Sequence, residues 1–138
     1  MVTKQFRSAL ESLSAVRQAV ESFCSQSGIP DVVEGELELA INEVCTNIVE
    51  HGGLNPEKDS FQITFEKEDN AVILTIQDKG KRYDFNNSKG IKTSKEMLKK
   101  RPRSGMGVFI IRQLVDAVIY NHLADKTNEL KLVKYLTK

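Results

Sequence analysis

A chain of 138 residues is the size of one ordinary domain, and at 40% hydrophobic and 28% charged it can bury a real core. No apolar run reaches membrane-spanning length and residues 1–12 lack the apolar centre of a signal peptide. The two cysteines and two histidines are too few for a disulfide framework or a zinc site. The expectation is therefore one cytoplasmic domain over residues 1–138, with no membrane contact.

Charge is unevenly spread. Between Lys79 and Arg103, ten basic residues face two acidic ones, a local +8 that leaves −7 elsewhere within a total of +1. That segment predicts an anionic partner of its own.

Val2 to Arg7 alternates weakly and predicts a short edge strand. From Ser8 to Ser27, apolar residues at Leu10, Leu13, Val16, Val20 and Phe23 recur at helical steps. Ser8 and Glu11 have the spacing of a capping box, Gly28 closes the helix, and Pro30 follows it. Asp31 then reads as the cap of a second helix.

That second helix, centred on Glu36 to Gly52, has two faces. Leu37, Ile41, Val44 and Ile48 form an apolar stripe, while Glu36, Glu43, Asn47 and Glu50 form a polar one. Ala40 and Cys45 are small enough for close seating. Cys24 and Cys45 read as reduced thiols in or near the core. Glu43 and Asn47 stand one turn apart and can address one bound object. A carboxylate can take a proton, and an amide oxygen can ligate a hard cation such as Mg²⁺. The same pattern also fits the solvated face of an ordinary amphipathic helix.

Gly52-Gly53 and Asn55-Pro56 make a turn. Ser60 to Glu66 alternates and Ala71 to Gln77 is more apolar, so the two read as a hairpin around Asp69-Asn70. Lys79 to Ser104 has no sustained period, and a loop of that length in a compact domain is usually functional. A helix follows Gly105-Met106-Gly107, and Ala117 to His122 and Glu129 to Leu136 close the chain as strands. The order predicts an α+β fold, one sheet with its helices on a single face.

Two further stretches carry chemistry. Asp78-Lys79-Gly80 follows the apolar strand directly. A carboxylate at the end of a buried strand needs donors, and an adenine amino group is one. Gly80 permits close approach of a flat ring. An ordinary strand-ending turn uses the same residues. Ser104-Gly105-Met106-Gly107 leads into a helix, where free backbone amides and the helix N-terminus suit phosphate oxygens. A flexible hinge has the same look.

In this order, NEVCTNIVEHG, DKGKRYDF and SGMGVFIIRQLVD resemble the N, G1 and G2 boxes of the superfamily that includes the nucleotide domains of gyrase and histidine kinases, known as GHKL. With the opening helix ESLSAVRQAVESFC and the stand-alone size, the chain resembles more narrowly the anti-sigma factor serine/threonine kinases. The resemblance covers nearly the whole chain. It implies a GHKL (Bergerat) ATPase sandwich, with one mixed, mostly antiparallel sheet, helices on one face and a long ATP lid in the basic segment.

It also implies roles. Glu43 is the catalytic base and Asn47 the Mg²⁺ ligand. His51 borders the nucleotide. Asp78 reads the adenine amino group with Gly80 beneath the ring. Tyr83 stands where the family often has phenylalanine, and Arg82 where it often has a small residue or proline. Ser104, Gly105, Met106 and Gly107 hold phosphates.

ATP and Mg²⁺ are the implied cofactors. The implied partners are a sigma factor, a small STAS-type anti-anti-sigma protein as phosphoacceptor, and a second copy in a homodimer. The resemblance thus points to an anti-sigma factor and protein kinase. The alternative is a nucleotide-gated binding module without productive transfer. A histidine kinase is disfavoured because no helix here bears a phospho-accepting histidine. Direct nucleic-acid binding is poorly supported, since the basic segment holds no aromatic residue beyond Tyr83 and Phe85 for stacking.

Overall fold

A computed structural model of the chain describes residues 1–80 and 103–136. In chain order these form β1 (Val2–Arg7), α1 (Ser12–Ser27), α2 (Asp31–His51), β2 (Ser60–Glu68), β3 (Ala71–Asp78), α3 (Arg103–Leu114), β4 (Ala117–His122) and β5 (Asn128–Tyr135). Of the expected lid between Lys79 and Ser104, residues 81–102, with Tyr83 and Arg82, lie outside the described residues.

The five strands make one sheet in the order β1-β2-β3-β5-β4. Every pairing among the described residues is antiparallel, in keeping with the expected mostly antiparallel sheet, and no parallel pair occurs among them. Alternation explains its two faces. Phe61, Ile63 and Phe65 on β2, Val72, Leu74 and Ile76 on β3, and Leu130 and Leu132 on β5 are all buried. Register aligns them in rows, such as Phe65, Leu74, Leu132 and Val118. The opposite face is a polar ladder. Gln62 Nε2 donates to Gln77 Oε1 at 2.7 Å, and Gln77 Nε2 donates to Glu129 Oε2 at 2.8 Å.

The helices cover the apolar face. Val33, Leu37, Ala40, Ile41, Val44, Cys45 and Ile48 of α2 join one core with Val16, Val20 and Cys24 of α1 and Ile111 of α3. Phe23 of α1 meets Phe65 with ring centroids 5.6 Å apart. Gly28 ends α1 with φ 68°, a left-handed conformation that glycine adopts without strain.

Three local expectations need correction. The capping box fails because α1 begins at Ser12, with Glu11 at the cap position and no side-chain cap bond. Ser8 instead continues the strand, its N–H donating to the Asp59 carbonyl at 2.9 Å, and its buried Oγ has no hydrogen-bond partner among the described residues. Leu10 precedes the helix and is 56% exposed, so it does not belong to the apolar stripe. At α2 the cap position is Pro30, whose extended backbone leads into Asp31 as the first helical residue. Asp31 and Glu34 then favour the positive end of the helix by charge.

Leu74 lies in the central strand with no exposed area. Leu74→Ala should cost about 2–5 kcal/mol of unfolding free energy. Urea titration checks this, and a loss near zero would mean that the strand rows do not form one cooperative core.

Candidate functional site

The site grows from the end of β3. Burial on this strand alternates through Val72, Leu74 and Ile76, and one more step of the same period brings Asp78 to the helix-covered face. Asp78 pairs with Asn128 across β3 and β5, and Asn128 pairs with His122 across β5 and β4. One end of the sheet thus carries a polar row next to the buried apolar residues Ile76, Leu130 and Leu74 of that face.

Asp78 Oδ1 accepts from the Gly80 N–H at 2.8 Å and from Asn128 Nδ2 at 3.2 Å. No bond to Oδ2 occurs among the described residues. Burial pushes the Asp78 carboxyl above the ordinary carboxylate range, against the opposing pull of the Gly80 and Asn128 donors. No cation offsets that cost among the described residues.

The turn after Asp78 is pressed against the end of α2. A Cβ on Gly80 would stand 2.7 Å from the Gly52 carbonyl oxygen and 3.0 Å from the Gly52 Cα. A Cβ on Gly52 would stand 2.5 Å from the Ile48 carbonyl oxygen. Both contacts are with backbone, so neither glycine has room for a side chain. Cys45 reports the same convergence from within α2. Its buried thiol is raised well above its usual pKa by burial and then by the Asp78 charge, so it stays protonated.

On α2, Glu43 and Asn47 are half-buried. Neither side chain makes a hydrogen bond or ion pair among the described residues. Two hard oxygen donors one turn apart, with no internal partner, fit the hydration shell of a cation such as Mg²⁺. Glu36 leaves the predicted polar stripe for a structural role: Lys134 Nζ lies 3.1 Å from Glu36 Oε1 and donates to the Leu114 carbonyl at 2.9 Å. His51 is the last residue of α2, with a side chain 48% exposed and its Nε2 4.0 Å from Glu50 Oε1.

Ser104, Gly105, Met106 and Gly107 fall inside the start of α3, which begins at Arg103 rather than after the glycines. Ser104 and Gly105 therefore sit where a helix leaves its first amides without internal partners, whereas Met106 and Gly107 come after those positions. Tyr83 is outside the described residues.

Sequence reading missed Asn128, Tyr120 and His122. Asn128 Nδ2 also donates to the Gly80 carbonyl at 3.0 Å, while its Oδ1 accepts from Tyr120 Oη at 3.1 Å and lies 2.8 Å from His122 Nδ1. An Asn at a strand start has no period and no motif to mark it. Strand register was the one available signal, since it sets Asn128 opposite Asp78.

Comparison with known proteins places the chain in context. The profile of the histidine kinase-like ATPase domain matches residues 6–134. Proteins named serine-protein kinase RsbW from Bacillus thuringiensis (strain Al Hakam) and Bacillus anthracis are each 26% identical over 132 residues, covering 93% of this chain and 80% of theirs. A structure of the RsbU and RsbW domains of a Mycobacterium tuberculosis protein superposes with a TM-score of 0.66 at 15% identity, over 100% of this chain but 33% of that one. The SiaB–SiaC complex from Pseudomonas aeruginosa contains a similar fold, with a TM-score of 0.65 at 13% identity over 97% of this chain and 89% of that one.

The raised Asp78 carboxyl has a consequence for stability. The folded state holds this proton more tightly than the unfolded chain does. Stability therefore falls as pH rises from the ordinary carboxylate range through the raised value, and the cost is absent at lower pH. Asp78→Asn keeps an acceptor oxygen and removes the charge. Thermal melts should show it at least as stable as wild type at pH 7, the gap closing below about pH 4. A variant clearly less stable at pH 7 would mean that the fold itself uses the charge.

Proposed function

The chain belongs to the histidine kinase-like ATPase domain family, and on that premise we propose that it is an ATP-dependent serine/threonine protein kinase acting as an anti-sigma factor. One observation carries the reading. The Gly52–Gly80 contact joins the end of α2, with Glu43 and Asn47 on its polar face, to the turn that holds Asp78. A purine reader and a proton acceptor are thereby mounted on one rigid junction.

In this reading Asp78 accepts the adenine amino group through Oδ2, and Gly80 leaves room for the ring. His51 borders the nucleotide at the end of α2. Asn47 would hold Mg²⁺, which supplies charge compensation on the phosphates. Glu43 takes the proton from an attacking serine hydroxyl. Gly105, Gly107 and the first-turn amides of α3 face phosphate oxygens, and Tyr83 and the basic segment close the site. Little covalent work falls to the protein, since position and charge compensation carry phosphoryl transfer.

The relatives named serine-protein kinase RsbW support transfer to serine. They support a sigma factor and a small STAS-type anti-anti-sigma protein as partners, the second being the phosphoacceptor. The SiaB–SiaC complex supports a fold of this kind engaging another protein. A homodimer and a cytoplasmic location complete the proposal.

Calorimetry with Mg²⁺ and ATP, joined to a phosphotransfer assay on STAS-type proteins, tests it. Asp78→Asn should weaken ATP binding by about tenfold or more, the worth of one hydrogen bond to a charged group. Glu43→Ala should keep ATP binding and lose about 10²–10⁴-fold in transfer. Partner regulation unchanged in Glu43→Ala, with ATP still bound, would favour the nucleotide-gated module. No ATP binding by the wild type would overturn both.

A further inference from the structure

Asn128 is 3% exposed and uses its whole amide. Nδ2 donates to Asp78 Oδ1 and to the Gly80 carbonyl. Oδ1 takes the Tyr120 hydroxyl and faces His122 Nδ1. These partners fix the amide's orientation. Reversed, it would present an oxygen to a carboxylate and a carbonyl, neither of which can donate. Because Oδ1 cannot donate either, the His122 ring carries its proton on Nδ1. Four groups from three segments therefore settle one side chain.

We propose that Asn128 is a positioning residue for purine recognition. By holding both Oδ1 of Asp78 and the Gly80 carbonyl, it sets the carboxylate plane and leaves Oδ2 as the free acceptor. Tyr120 and His122, on the edge strand, brace it from behind. The proposal rests on the reading of Asp78 as the adenine acceptor and adds the group that aims it. The carboxylate alone sets a preference for a donor, whereas its fixed plane sets how sharply a donor is preferred over an acceptor at the same ring position.

ATP and inosine triphosphate differ at that position, an amino donor against a carbonyl acceptor. Their dissociation constants should be measured by calorimetry with Mg²⁺ on the full chain. Wild type should prefer ATP by about tenfold or more, as one charged hydrogen bond requires. Asn128→Ala should lose most of that ratio through weaker ATP binding, with inosine triphosphate little changed. Damage of a merely structural kind would weaken both ligands alike and overturn the proposal.

In an Asp78→Asn background, Asn128→Ala should leave the ratio where Asp78→Asn alone puts it. Where Asn128→Ala does not fold, Tyr120→Phe removes one donor to Oδ1 and should lower the ratio by a smaller factor. An unchanged ratio there would count against the brace. A wild type without preference would instead sink the reading of Asp78 itself, so the two failures are distinct.

Discussion

The contact between Gly52 and Gly80 constrains everything else at this end of the molecule. It is a backbone-on-backbone approach, tighter than any pair bearing side chains could make. The end of α2 and the end of β3 can meet this closely because Gly80 lacks a Cβ, which would run into the Gly52 backbone. The rest follows from where those elements come from. Helix α2 is seated on the sheet by a full apolar stripe, and β3 is the central strand, paired on both sides. Neither can shift without disturbing the core, so the polar residues at their junction inherit the rigidity of the core.

That rigidity matters because the junction holds a carboxylate in an unfavourable place. Asp78 is desolvated, and among the described residues what stabilises its charge is a backbone amide and a side-chain amide rather than a cation. A lysine or arginine there would have stabilised the ion better and occupied its free oxygen. Neutral donors leave the acceptor available and hold it in one plane. The neighbouring Cys45 thiol, kept protonated by burial and by Asp78, adds no competing charge. The site thus accepts an electrostatic cost in the free protein, as groups poised to bind often do.

Most of the fold was legible because its signals are periodic. The strand alternation, the helical stripes and the glycine at the end of α1 all reappear in the structure. What failed was local and lacked a period. Ser8 and Glu11 had capping spacing, but the Ser8 N–H was already committed to Asp59 in the sheet. Asp31 looked like a cap, yet Pro30 can hold the extended cap conformation and needs no donor of its own. Glu36 sat on the polar stripe with Glu43 and Asn47, and only the tertiary fold could bring Lys134 to it across the sequence. Asn128 was invisible for the same reason. Its meaning lies in the strand opposite, and no spacing along the chain encodes that.

Charge sets the last constraint. Helix α2 carries Asp31, Glu34, Glu36, Glu38, Glu43 and Glu50 and no lysine or arginine. Part of this is compensated inside the fold, where Lys134 meets Glu36 and Arg17 favours the ionised form of Glu38. Glu38 is still pushed above the usual carboxylate range, first by burial and then by its acidic neighbours Glu34 and Glu21. Glu43, nearer the junction, has no cationic partner among the described residues. In the function proposed above, a polyphosphate at this face needs positive charge that arrives with it or comes from the Lys79 to Arg103 segment with its net +8. By the same proposal, a carboxylate on this helix takes a proton while a basic segment elsewhere in the sequence offsets phosphate charge, so the two electrostatic tasks of phosphoryl transfer would fall to separate parts of one chain.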